Sequence, residues 1–201
     1  MFDAVHAMRT RIMTSDCFTG DSILGAILFE DTMDRTVEGL PTSRYLWETK
    51  GIVPFLKIDK GLRTIEARDV PGEGVSIEEE PGTSSVQLLA PIPNLESLLR
   101  RAKAEGVYGT KARSVILDPK NPDHIDALVK QQFQLARRVL REGLIPVVEP
   151  EVDVTQDPDD KRACEEVLCA ALLRELDALR DEDDLVVEHD HGDDDDGRRG
   201  D

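Results

Sequence analysis

Four short apolar runs recur along the chain, at residues 23–29, 51–58, 108–117 and 144–152, and helical patterns fill the intervals between them. Continuous apolar runs of this length read as strands buried on both faces. Strands of that kind joined through helices imply parallel βαβ units, so the alternation restricts the chain to an α/β fold. The first helical pattern, within residues 1–11, places Phe2, Val5 and Met8 on one face, and Ile12 extends it. Residues 94–106 align Leu95, Leu98, Leu99 and Ala102, and residues 124–142 align Ile125, Leu128, Phe133, Ala136 and Val139. Gly106 and Gly143 supply the C-terminal stops of these two patterns. A further helix is predicted over 159–179.

Two stretches break the rhythm. Residues 63–85 are rich in Gly, Pro and acids and read as a long surface excursion after the second strand. Residues 181–201 hold eleven acids against two arginines, −9 of the chain's −17, and read as a disordered acidic tail. The domain expectation is therefore a folded unit over 1–180 followed by that tail. His189, His191 and Asp193 to Asp196 in the tail could meet a divalent ion, but a charge run without fixed geometry reads as solvated.

Charges stand near the C-terminal ends of three of the four strands. They are Lys57 in VPFLKID, Lys111 and Arg113 in GTKARSVI, and Glu149 and Glu151 in PVVEPEVD. Side chains alternate along a strand, so Lys111 shares a face with Arg113 and Glu149 with Glu151. Burying an unpaired charge is costly, so such residues persist as ion pairs or because a site needs them. A salt-bridge layer would place charges there too. In parallel α/β folds, however, ligands lie beyond the C-terminal strand ends, and placement on successive strands favours a site. Two lysines, an arginine and two carboxylates converging there suit a small anionic or phosphorylated substrate, with a carboxylate to move a proton.

The segments LGAILFEDTMDR (24–35), GIVPFLKIDKG (51–61), GTKARSVI (109–116) and QQFQLARRVLREGLIPVVEPEVD (131–153) resemble class I fructose-bisphosphate aldolase, particularly its bacterial branch. The resemblance runs from Met1 to about Leu179, interrupted by the acidic excursion at about 63–85. It implies a (β/α)8 TIM barrel, of which this chain would supply roughly strands two to five and a stub of the sixth. It also implies a cytoplasmic lyase of glycolysis and gluconeogenesis that cleaves fructose 1,6-bisphosphate to dihydroxyacetone phosphate and glyceraldehyde 3-phosphate. That chemistry runs through a lysine Schiff base, without metal or other cofactor.

Carried over by motif, Lys57 matches the substrate-contacting lysine of the third strand. Lys111 and Arg113 match the fourth-strand lysine and arginine that bind substrate and stabilise charge. Glu149 matches the general acid/base of carbinolamine formation and dehydration, and Glu151 a neighbouring acidic position. Lys60, on the other strand face from Asp59, reads as structural or at the rim. The partner implied is a phosphorylated sugar, with self-association into a homo-oligomer left open.

Two departures accompany the match. Met1 falls inside the family pattern, ahead of the second strand, so the first strand and its catalytic aspartate have no counterpart. Glu188 occupies the place of the Schiff-base lysine, and no lysine follows Lys161. The expectation is a truncated aldolase, ending in unrelated sequence and inactive alone. The alternative is a non-catalytic pseudoenzyme fragment that binds sugar phosphate or a full-length aldolase subunit.

The acidity speaks against unspecific nucleic-acid binding, which needs clustered Lys and Arg. No run approaches the roughly 20 apolar residues of a membrane span, and no signal peptide is read at residues 1–11. Cys17, Cys164 and Cys169 form no CxxC; the latter two read as small buried helix residues. His6 and His124 read as surface or capping residues, and Tyr45 and Trp47 as packing.

Overall fold

A computed structural model of the chain describes residues 2–66 and 85–189. Helix α1 (Phe2–Met13) leads into strand β1 (Gly25–Leu28), followed by the single turn α2 (Glu30–Met33). Strands β2 (Thr36–Val37) and β3 (Leu40–Pro41) form a small antiparallel ladder. Glu38 and Gly39 both take positive φ between them, the backbone a two-residue hairpin requires. The turn α3 (Thr42–Arg44) runs into a wide helical turn at Tyr45–Thr49. Then come β4 (Val53–Lys57), β5 (Leu62–Thr64), β6 (Val86–Leu89), α4 (Leu95–Ala104), β7 (Gly109–Ile116), α5 (Pro122–Arg141), β8 (Ile145–Val152) and α6 (Pro158–His189).

Strands β1, β4, β7 and β8 are all parallel and adjacent in that order, as the apolar runs predicted. Strands β5 and β6 are antiparallel to each other, and β6 is antiparallel to β7. They depart from the expected parallel pattern and turn the two ends of the 63–85 excursion into a hairpin. Strand β8 pairs with β7 along its whole length, so β4 and β6 share the opposite edge, β4 at Gly109–Lys111 and β6 at Val115–Ile116. Residues 67–84, between them, lie outside the described residues.

Alternation along the strands separates two faces. Leu56 and Ile58, with Ala112 and Ile116, turn outward and are buried under the helices. Leu99, Ala102 and Val139 close one part of that layer, and Leu128, Phe133, Cys164 and Leu168 the other. Burial of this apolar layer is the main driving force for the arrangement. Asn121 caps α5 by accepting the His124 backbone N–H at 3.3 Å, with Pro122 at the first helical position. Gly143 takes φ +71° just past the end of α5. The opposite face stays open: Ile27 is 53% exposed, and Phe29, Ile145 and Val147 are exposed beside it.

Several local expectations change. Cys164 and Tyr45 are buried as expected, but Cys169 and Trp47 are exposed. His124 is not a surface residue: it is buried, with Nδ1 against Ser85 Oγ, which ties the start of α5 to the end of the excursion. Helix α6 continues to His189, so residues 181–189 of the expected tail are helical backbone, and Glu188 lies on a helix. Residues 190–201 lie outside the described residues, as do the candidate metal-binding positions after His189. Among the described residues, no helix is long and apolar enough to cross a membrane.

Candidate active site

The charged positions of β4, β7 and β8 converge on the open face of the sheet. Lys57 stands in register with Lys111, and Arg113 with Glu149. Each cation is offset diagonally toward a carboxylate on a neighbouring position of the same face. Lys111 Nζ pairs with Glu149 Oε2, two positions beyond Val147, its register partner. Arg113 Nη1 donates to Glu151 Oε2 at 2.9 Å, repeating the same diagonal one step further along. Lys57 Nζ pairs with Asp59 Oδ2, on the strand's own continuation.

Burial grades across the cluster. The Asp59 side chain is 8% exposed and that of Lys111 is 16% exposed, while Arg113, Glu149 and Glu151 are more open. Asp59 Oδ1 is buried without a hydrogen-bond partner. The strand that carries Lys111 and Arg113 is held from behind: Gln132 of α5 is buried, and its Nε2 donates to the Ala112 carbonyl at 3.2 Å and to Ser114 Oγ at 2.8 Å. These outward positions alternate with Lys111 and Arg113, so the amide fixes which face the two cations occupy.

A cavity of about 400 Å³ opens beside Lys57, between Asp59, Lys60 and Glu30 on its polar side and Val5 and Phe29 on its apolar side. Lys60 and Arg101 both donate to Glu30, and Arg101 also pairs with Asp34 at 3.3 Å. The Lys60 hydrogen bond, against opposing burial and aided by Arg101, holds the Glu30 carboxyl below its ordinary range. Burial pushes the Asp34 carboxyl up, against the pull of Arg101. Lys60, bonded to Glu30, lines this cavity together with Lys57 and Asp59.

All five expected residues, Lys57, Lys111, Arg113, Glu149 and Glu151, share this face. Sequence reasoning missed Asp59 as the partner of Lys57, although two residues apart on an extended segment already puts the pair on one side. It also missed Gln132, a polar residue inside an apolar helical stripe. Among the described residues, no group of His, Cys, Asp and Glu is placed to hold a metal ion.

The cluster can bind an anionic group through Lys111 and Arg113 and offers carboxylates for proton transfer at the same face. A family model described as "Fructose-bisphosphate aldolase class-I" matches residues 3–188. The chain is 50% identical, over 179 residues, to fructose-bisphosphate aldolase class 1 of Synechocystis sp., covering 89% of this chain and 53% of that protein. It therefore spans about half the length of that relative. Among solved structures it is similar to fructose-bisphosphate aldolase from Plasmodium falciparum, crystallised with TRAP and a small-molecule inhibitor. The TM-score is 0.59 at 24% identity, covering 83% of this chain and 47% of that one, and the likeness identifies the open sheet as part of an aldolase-type (β/α)8 barrel.

Proposed function

This chain belongs to the class I fructose-bisphosphate aldolase family, and from that premise we propose that its inner-face cluster is the phosphate-binding and proton-transfer part of an aldolase site. The reaction is that of the family, cleavage of fructose 1,6-bisphosphate to dihydroxyacetone phosphate and glyceraldehyde 3-phosphate. Lys111 and Arg113 bind and neutralise the anionic substrate. Lys57 contacts it from the adjacent strand. Glu149 moves protons, and Glu151 orients Arg113 through the 2.9 Å bond. The observation that carries the reading is the repeated diagonal: cation on β7, carboxylate two positions past its register partner on β8. An anion arriving at that face can take over the bonds the carboxylates now make and release Glu149 to act on the substrate.

We further propose that the 201-residue chain binds sugar phosphate without cleaving it. Imine chemistry needs a lysine amine at the carbonyl carbon. On the motif resemblance, Glu188 takes the place of the family's Schiff-base lysine. Borohydride reduction in the presence of dihydroxyacetone phosphate tests this directly. Unchanged protein mass is the expected result, while a covalent adduct at Lys57 or Lys111 would overturn it. Thermal shift with fructose 1,6-bisphosphate tests binding: stabilisation is expected in the parent chain and absent in a Lys111→Met, Arg113→Met double variant. An equal shift in both would place the ligand elsewhere.

A further inference from the structure

We propose that the cleft between α4, α5 and the end of β6 is a second binding site, for a small carboxylate with an apolar body. A cavity of about 280 Å³ lies there, built by interior elements of the chain and lined by no residue of the charged inner face. Its apolar side comprises Pro91 and Ile92 of the loop before α4, with Leu95 and Leu135 of the two helices. Its polar side comprises Arg63 of β5 and three residues of α5, Gln131, Gln134 and Arg138. Those three recur at spacings of three and four and so share one helical face. An apolar lining with a few convergent polar groups is the usual make-up of a small-molecule pocket.

Polar bonds frame the cleft and leave donors over. Gln131 Oε1 accepts the Leu89 N–H at 2.8 Å, and its Nε2 donates to the Leu89 carbonyl at 3.1 Å, so the end of β6 is fixed to α5. Arg138 Nε donates to Glu96 Oε1 at 2.9 Å and Nη2 donates to the same oxygen, which ties α5 to α4. Arg63 Nη1 donates to the Thr64 carbonyl at 3.1 Å. Among the described residues, Arg138 Nη1 has no hydrogen-bond partner and the exposed Gln134 amide makes no hydrogen bond. These two groups stand one helical turn apart on the wall of the cavity.

Chemistry and size together select the ligand. One carboxylate can take an N–H from Arg138 and another from Gln134, the first of them charge-assisted. Glu96 beside the guanidinium and the apolar side of the cavity disfavour a multiply charged phosphate, which would need more cations than the cleft offers. An apolar cavity of about 150 Å³ accepts a benzene ring. The larger volume here, about 280 Å³, leaves room for a ring and a short acidic chain. The class is therefore an aryl or alkyl monocarboxylate, its body on Pro91, Ile92, Leu95 and Leu135 and its charge at Arg138.

Titration of the 201-residue chain with phenylpropionate, followed by amide NMR, tests the site. Saturable shifts are expected at Leu89, Leu95 and Gln134. Phenylpropanol, with the same apolar body and no charge, should bind about tenfold or more weakly, and Arg138→Met should weaken phenylpropionate by a similar factor. Glu96→Gln, a substitution at a half-exposed side chain, frees Arg138 of its counter-charge and should tighten phenylpropionate several-fold. Loss of a merely structural bridge between the helices would not produce that gain. Absence of saturable shifts, or shifts centred on Lys111 and Arg113, would overturn the second site. So would equal affinity in the parent and both variants. If Arg138→Met fails to fold, Glu96→Gln alone decides, and an unchanged or weaker affinity in that variant would refute the role of Arg138.

Discussion

Lys57 and Lys111 occupy matched positions on adjacent parallel strands, yet their ammonium groups are held by different carboxylates, Asp59 and Glu149. The division lets two like charges share one face without facing each other unscreened. Asp59 is the more buried of the two acids, so its loss should cost more than that of an exposed pair. Asp59→Asn is expected to lower stability by about 1–3 kcal/mol, because it strips a part-buried lysine of its counter-charge. Urea unfolding reads this. Adding Lys57→Met should recover part of the loss, and strictly additive single and double variants would show that the two side chains are uncoupled.

Gln132 supports the same strand from its other side. Gln132→Leu leaves the Ala112 carbonyl and Ser114 Oγ without their buried donor, and a destabilisation of about 1–3 kcal/mol is expected. Pairing it with Ser114→Ala should reduce that cost, since the hydroxyl no longer lacks a partner. Equal losses in the single and double variants would mean that the cost comes from packing alone.

The parts of the fold that were legible in the sequence are those where periodicity and burial agree. The four parallel strands announced themselves as apolar runs, and α5 as a stripe bounded by Asn121-Pro122 and Gly143. The charged face was legible because Lys57, Lys111, Arg113, Glu149 and Glu151 interrupt those runs. The hairpin was not: β5 is three residues long and is separated from β6 by a Gly-, Pro- and acid-rich stretch that gives no pairing signal. His124 misled because its place at the head of a helix suggests capping, whereas Asn121 caps and the histidine packs on Ser85. The extension of α6 was hidden by acids, which composition reads as disorder although Asp and Glu are tolerated in an exposed helix.

The Glu30 cluster should appear in the acid limb of stability. Its folded carboxyl is held below the ordinary glutamate value, roughly 4.3, chiefly by the Lys60 hydrogen bond. Folding therefore favours the ionised form. The stabilisation is present above that value and lost as pH falls through the lower, folded value. With Glu30 partly exposed, a contribution of about 0.2–1 kcal/mol is appropriate. Glu30→Gln should be less stable than the parent near neutrality, and the two should converge at the acid end. Asp34, raised by burial, works in the opposite sense, so Asp34→Asn should gain on the parent as pH rises past the ordinary aspartate range. Parallel stability curves for parent and Glu30→Gln down to the acid end would remove the ionic role.

Gly109 begins the strand that carries Lys111 and Arg113, and the space around it, rather than its backbone angles, requires a glycine. A Cβ there would run into the carbonyl oxygen of Ile145 and lie 2.9 Å from the Phe55 ring. Phe55 and Ile145 are the register partners of Gly109 on the two flanking strands, so the methyl of Gly109→Ala has no free side to move toward. Relief must come from separating β7 from β8 at their start, which is where the diagonal pairing of Lys111 with Glu149 takes its offset. An overpacking cost of about 1–3 kcal/mol is expected. Hydrogen exchange distinguishes local separation from a general loss of stability: the Ile145 and Val147 amides, which bond toward β7, should exchange faster relative to those of α4. Full stability with unchanged exchange at β8 would mean that the strands can absorb the methyl group, and that the close approach at Gly109 does not set the register of the charged face.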